Sequence, residues 1–247
     1  MQPHEIKTLN AEYAALDAPA RLEKALNDAR FGRIALVSSF GADAVVLLHL
    51  VAQQRRDLPV LFLDTQVLFP ETLAYQQQVA EHLGLTDLRI QRPDPAELIA
   101  EDPDGDLNKR NPDACCRLRK GRPLAKALEG FESWITGRKR FQTGARAELP
   151  VVEWDGQRLK LNPLADWTAQ DIAAYIAAHD LPRHPLIDRG YRSIGCVPCT
   201  SPTKAGEDPR AGRWRGSEKE ECGIHFVDGR IVRGPVTQPA TTEEEAA

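Results

Sequence analysis

The chain has 247 residues, 42% of them hydrophobic, enough to bury a core and to exclude a disordered body. Lys and Arg number 32 against 36 Asp and Glu, a formal charge of −4 that disfavours a general nucleic-acid binder. No apolar run approaches the ~20 residues of a membrane helix, and the opening MQPHEIKTLNAEY lacks a basic-then-apolar signal, so a cytoplasmic protein is expected.

Residues 1–30 read as an amphipathic helical lead-in. Residues 34–37 (IALV) are a short buried strand, followed by the turn Ser38-Ser39-Phe40-Gly41-Ala42-Asp43 and an apolar helix over 44–51. Residues 59–63 form a second strand ending at Asp64-Thr65. Pro70-Glu71-Thr72 opens a helix through Leu83, with Gly84 as its C-cap. Residues 88–90 and 133–137 supply third and fourth strands. Residues 151–161 read as a hairpin turning at Asp155-Gly156. Thr168-Ala169-Gln170-Asp171 resembles a capping box and starts a helix ending near His179. The regular pattern dissolves from about residue 200, and 237–247 (ending TTEEEAA) read as a disordered tail.

Short apolar strands alternating with helices predict an α/β fold with a doubly wound, mostly parallel sheet. Ligands of such sheets bind beyond the carboxyl ends of the strands. Ser38-Ser39, Asp64-Thr65 and Gly137-Arg138 each follow a strand, so they are expected to face one crevice. Charge is distributed to match. Residues 109–146 hold eleven Lys and Arg against three acids, a net +8, and residues 183–215 hold seven against three, a net +4. The remainder is then −16, so basic islands in an acidic chain point to a small polyanion. The bland alternative is a set of solvated helix faces.

Three motifs bear chemistry. The turn 38–43 offers backbone N–H groups and hydroxyls to an anion at a helix N-terminus, although it is no GxxxxGK[ST] loop. The five cysteines divide into four plus one. Cys115-Cys116 and the CxxC pair Cys196 and Cys199 could clamp a metal or iron–sulfur site across 80 residues, with local backbone distortion at the adjacent pair. Two small buried residues at 115–116, a redox dithiol at 196–199 and half a zinc site are the competing readings. Cys222, in Glu221-Cys222-Gly223-Ile224-His225, is the odd thiol. It follows the arginine-rich run 210–215, and nearby cations raise a thiol's thiolate fraction.

Assembled, these motifs resemble the phosphoadenylyl-/adenylyl-sulfate reductase family, specifically its iron–sulfur, thioredoxin-dependent adenylyl-sulfate (APS) reductases. The resemblance spans roughly residues 30–226. It rests on SSFGAD (38–43), LDTQVLFPETLAY (63–75), CCRLRKGRPL (115–124), WITGRKRFQTGARA (134–147), RGYRSIGCVPCT (189–200) and ECGIH (221–225). It implies a PP-loop α/β domain over 31–205, of the adenine-nucleotide alpha-hydrolase type. A mobile C-terminal segment, 206–236, would bear the catalytic Cys222. By the same resemblance Ser38, Ser39, Phe40, Gly41 and Asp43 cradle the nucleotide phosphate, and Leu63, Asp64 and Thr65 line the adenosine pocket. Lys120 stands between cluster and substrate. Arg146, Arg210 and Arg213 bind the substrate anion, and His225 orients Cys222 or contacts phosphate. Cys115, Cys116, Cys196 and Cys199 hold a [4Fe–4S] cluster.

The implied reaction reduces APS to sulfite and AMP through an S-sulfocysteine on Cys222, which thioredoxin resolves. Relatives acting on 3′-phosphoadenylyl sulfate commonly lack the four cluster cysteines, so APS is the expected substrate, with activity on 3′-phosphoadenylyl sulfate as the alternative. Two rivals remain: a PP-loop enzyme of tRNA thiolation and a non-catalytic nucleotide-binding module with a four-cysteine zinc site. Phe40 and Ala44 depart from the SGGxDS pyrophosphatase pattern and count against the first. No nucleic-acid or membrane partner is expected, and the sequence leaves a homo-oligomer open.

Overall fold

The structure, a computed structural model, describes residues 1–216, Lys219 and Glu221, and the backbone of residues 225–227 and 230–232. Two helices, α1 (Pro3–Ala14) and α2 (Ala18–Asn27), lead in. The body alternates β1 (Ile34–Ser38), α3 (Ala44–Gln54), β2 (Val60–Leu63), α4 (Pro70–Leu83) and β3 (Leu88–Gln91). Then come α5 (Pro95–Glu101), α6 (Leu107–Arg110), α7 (Pro112–Cys116), a π-helical turn at Arg117–Gly121 and α8 (Arg122–Ala127). β4 (Ser133–Ile135), β5 (Val152–Trp154), β6 (Leu159–Leu161) and α9 (Ala169–Ala178) follow, and a hairpin of β7 (His225–Val227) and β8 (Arg230–Val232) comes last.

The main sheet runs β3-β2-β1-β4-β6-β5, parallel throughout except for the β5–β6 pair. The expected doubly wound, mostly parallel sheet is therefore present. Alternate residues of each central strand bury on opposite faces. Leu36, Val60 and Phe62 enter the main core. Ala35, Leu61 and Leu63 enter a second core with Leu124, Leu128 and Trp134. Local signals set the ends of the elements. Gly84 caps α4 with a φ of 64°, and Thr168 and Asp171 form a reciprocal capping box on α9. The 151–161 hairpin turns through Gly156, whose φ is 93°.

The lead-in is part of the main core. Leu9, Tyr13 and Leu22 are buried there, and Arg21, 1% exposed, donates twice to Asp166 at 2.6 and 2.7 Å. Strand order reverses between β1 and β4: from β1 the chain winds out to β3, then returns to the other side of β1. The crevice beyond the ends of β1 and β4 is the switch point, where such sheets hold ligands. Among the described residues, no helix is long and apolar enough to cross a membrane. The 237–247 tail lies outside the described residues.

Candidate functional site

A cavity of about 340 Å³ opens at the switch point. The three post-strand turns meet there as expected, through Ser38, Ser39, Thr65, Gly137 and Arg138. Ser38 Oγ accepts from the Phe40 N–H at 3.2 Å and tightens the turn before α3. Phe40 takes a φ of 47°, where glycine is at ease and other residues are strained. Its side chain turns away from the cavity and packs edge-on against Phe62, ring centroids 5.2 Å apart. Burying a phenylalanine is worth about 1.5–3 kcal/mol, enough to offset backbone strain of this order. Of the residues expected to touch nucleotide, Phe40 and Asp64 are thus set apart from the lining. Asp64 accepts from the Gln66 N–H at 3.0 Å and from Arg92 Nε at 2.9 Å, which fixes the turn after β2.

Eight basic side chains line the cavity: Lys120, Arg138, Lys139, Arg146, Lys160, Arg192, Arg210 and Arg213. Three carboxylates oppose them, Asp43, Asp208 and Glu221. Lys120, Arg146, Arg210 and Arg213 were expected, as were Gly41, Asp43 and Leu63, which also line it. Lys139, Lys160, Arg192 and Glu221 were not, and Arg138 was expected at the crevice only as part of its post-strand turn. Lys139, 2% exposed, donates to Asp43 at 3.2 Å and to the Gly137 carbonyl at 3.1 Å, tying the turn after β4 to that after β1. Burial pushes its pKa down, while Asp43 opposes the shift. Burial and the neighbouring Arg146 lower Arg138 to about 9, so it remains a cation at neutral pH. Arg138 pairs with Glu153, whose carboxylate also lies 3.6 Å from Lys160 Nζ. Lys160 sits 4.5 Å above the Trp134 ring, its pKa pushed well down by burial and then by Arg138. Arg138 and Lys160, both in the wall of the cavity, thus share the one carboxylate of Glu153.

Cys115, Cys116 and Cys196 are buried and Cys199 half-buried. Burial raises the Cys115 pKa, Arg119 lowers it, and the charges of Cys196 and Cys199 raise it further, so the two segments converge. Thr65 Oγ1 lies 3.2 Å from Cys196 Sγ, and the Val197 N–H donates to the Val67 carbonyl at 2.9 Å. Cys196 itself lines the cavity. Cys115 and Cys116 end the helix α7, and a π-helical turn, Arg117–Gly121, follows them at once. Such turns widen a helix by one residue and recur at functional sites. Here the turn buries Arg119 and Lys120 together. Arg119 donates to the Thr65 carbonyl at 3.1 Å and to Asp102 at 2.6 Å. Among the described residues, no three His, Cys, Asp or Glu side chains stand close enough to hold one metal ion.

The CxxC loop is joined directly to the arginine segment. The Cys199 carbonyl accepts from the Trp214 N–H at 3.1 Å and from Arg213 Nε at 3.3 Å. Arg213 also stacks on the Trp214 ring at 4.5 Å, with Arg210 at 6.0 Å. Cys222 lies outside the described residues, as does the side chain of His225, whose backbone belongs to β7.

Comparison with known proteins matches residues 33–202 to the phosphoadenosine phosphosulfate reductase domain. An adenosine 5′-phosphosulfate reductase of Chelativorans sp. (strain BNC1) is 52% identical over 223 residues, covering 90% of this chain and 91% of that one. One of the same name from Mesorhizobium japonicum is 49% identical over 218 residues, covering 88% and 86%. Among solved structures, the phosphoadenylyl-sulfate reductase of Candida auris, a phosphate complex, superposes with a TM-score of 0.70 at 28% identity. That match covers 81% of this chain and 98% of that one.

Proposed function

The chain belongs to the phosphoadenosine phosphosulfate reductase family, and from that premise we propose that it is a cytoplasmic adenylyl-sulfate reductase. It reduces APS to sulfite and AMP at the expense of thioredoxin. The observation that supports this most is the lining of the switch-point cavity: eight Lys and Arg side chains against three carboxylates, with a cysteine of the four-cysteine set in its wall. A doubly anionic phosphosulfate suits that charge, and the volume of about 340 Å³ suits a single nucleotide.

Ser38, Ser39 and Gly41 of the turn hold phosphate at the start of α3, and Leu63 and Thr65 wall the adenosine. Lys120, Arg146, Arg210 and Arg213 hold the sulfate end. The Cys222 thiolate attacks sulfur, the bond from sulfur to the bridging oxygen breaks, and AMP leaves with its electron pair. The cations stabilise charge developing on that oxygen. Cys222 is left as an S-sulfocysteine. A thioredoxin thiolate then attacks Cys222 Sγ and sulfite leaves. The second thioredoxin thiol resolves the mixed disulfide, so a dithiol is oxidised as sulfur is reduced by two electrons.

Cys115, Cys116, Cys196 and Cys199 are fitting ligands for a [4Fe–4S] cluster. They are four soft donors, three of them buried, and four thiolates are the donor set that such a cluster takes. When bound, the cluster supplies a compact charge beside Lys120 and a link between the two cysteine segments.

The test uses APS labelled with ³⁵S and no thioredoxin. The enzyme should retain one label per chain and release one AMP, and added thioredoxin should discharge the label as sulfite. Cys222→Ser should retain none, and a stable label on that variant would overturn the reading. The same preparation should be brown, with about four irons per chain.

A further inference from the structure

Glu221 and Lys219 sit beside the proposed nucleophile, yet the mechanism above uses neither. Their side chains are only 13% and 10% exposed, and each meets an opposite charge on a different segment of the chain. Glu221 Oε1 accepts from Thr143 Oγ1 at 2.9 Å, and Oε2 accepts from Arg146 Nη2 at 2.5 Å, with Arg210 at 3.9 Å. Lys219 Nζ pairs with Asp113 of α7, two residues before Cys115, and lies 5.7 Å from the Trp214 ring. Lys219 is thus held against the cysteine helix, and Glu221 against the segment between β4 and β5. Both ends are held by charges that are costly to bury without their partners.

Glu221 also sets up Arg146. Gln142 and Glu221 take the two Nη atoms, and the buried Nε has no hydrogen-bond partner among the described residues. A guanidinium held this way has both Nη atoms fixed, so its orientation in the cavity wall depends on Glu221. Displacing Glu221 would release Arg146 at the same time. Cys222 is the next residue in the chain after Glu221.

We propose that Lys219 and Glu221 are positioning residues, a two-point clasp that fixes the chain next to Cys222 and orients Arg146 in the same act. The proposal rests on the reading of Cys222 as nucleophile. It gives oppositely charged side chains two residues apart a single task. Either anchor alone would leave the chain free to swing about the other.

The experiment measures single-turnover release of AMP by the full, cluster-loaded enzyme without thioredoxin, for Lys219→Met, Glu221→Gln and the double variant. Each single variant should slow AMP release by about 10–100-fold, because a misplaced nucleophile costs rates of that order. For Lys219→Met the APS concentration at half-maximal rate should stay within about threefold of the parent value, since no substrate contact is lost. Lys219→Arg should restore the rate. The double variant should be about as slow as the slower single one, because a clasp opened at one end gains little from being opened at the other. A rate within about twofold of the parent, or single effects that multiply, would overturn the clasp. Deuterium exchange in the peptide spanning 219–222 gives a reading independent of the reaction: it should quicken in both single variants. If the parent enzyme released no AMP while exchange quickened, the reaction would be misassigned and the clasp would stand. Unchanged exchange would sink the clasp whatever the chemistry.

Discussion

Gly195 shows how closely the cysteine loop and the arginines are fitted. It lies just before Cys196, and a Cβ built there would land on the guanidinium of Arg213. That guanidinium is the far end of a flexible side chain, so it can move aside without unfolding the loop. Moving it, however, breaks the 3.3 Å bond from Arg213 Nε to the Cys199 carbonyl and lifts Arg213 off the Trp214 ring. Gly195→Ala should therefore weaken substrate binding without much effect on the fold. The expected result is a rise of about 10-fold in the APS concentration at half-maximal rate, the worth of one charge-assisted hydrogen bond. Thermal stability should stay within about 1 kcal/mol of the parent. A large loss of stability with unchanged substrate dependence would show that the glycine serves packing alone.

At the scale of elements, the π-helical turn does what a regular helix could not. It brings Arg119 and Lys120 to the site from consecutive positions, one joined to Asp102 and Thr65, the other lining the cavity. The Arg119–Asp102 pair is almost wholly buried, with side chains 9% and 1% exposed. Burial pushes the Asp102 pKa up, but the bonds from Arg119 and from the Leu107 N–H outweigh it and keep the carboxylate ionised. Arg119→Met would leave that carboxylate buried without its cation, and breaking such a pair costs about 3–5 kcal/mol. The melting temperature should fall by on the order of 10 °C. Asp102→Asn in the same background should recover part of the loss by removing the stranded charge. No recovery would mean that the pair contributes little beyond shape. Much of this layer was legible in the sequence. Apolar runs marked β1 to β4, the Thr168–Asp171 box marked α9, and the turns after strands marked the crevice, because all of these are local signals. The rest depends on contacts that local signals do not encode. Lys139 reaches Asp43 across 96 residues. Lys160, between two leucines, reads as the outward residue of a half-exposed strand. But β6 lies between β4 and β5 with both faces covered, so the lysine is buried and turned to the cavity.

At the scale of the whole molecule, an acidic chain concentrates positive charge in one crevice, which draws anions there. Keeping the crevice intact depends on how the segment before Arg192 and the CxxC loop is pinned to the body. His184, 0% exposed, is the pin. Its Nδ1 accepts from the Leu186 N–H at 3.2 Å, so Nε2 holds the proton and donates to Thr72 Oγ1 of α4 at 3.0 Å. The ring also packs 4.7 Å from Tyr75, whose hydroxyl donates to the Pro182 carbonyl at 2.8 Å. Protonating Nδ1 would set two N–H groups against each other. Burial accordingly lowers the His184 pKa to about 4, with Glu71 opposing weakly. The unfolded chain takes up this proton near pH 6.5, the folded one only near 4. Between those values the unfolded state binds more protons, so stability present above about pH 6.5 is lost as pH falls towards 4. The loss attributable to His184 is about 2 kcal/mol at pH 5, or roughly 4–8 °C in melting temperature for a chain of this size. Melting the parent and His184→Gln at pH 7 and pH 5 isolates it, since acid lability of any bound cluster is common to both. The glutamine variant should be less stable at pH 7 yet fall less between the two pH values. Equal falls would assign the acid sensitivity between these pH values to groups other than His184; Asp28 would not be among them, because the Arg30 guanidinium holds it down at about 2 and its stabilisation is lost only at lower pH.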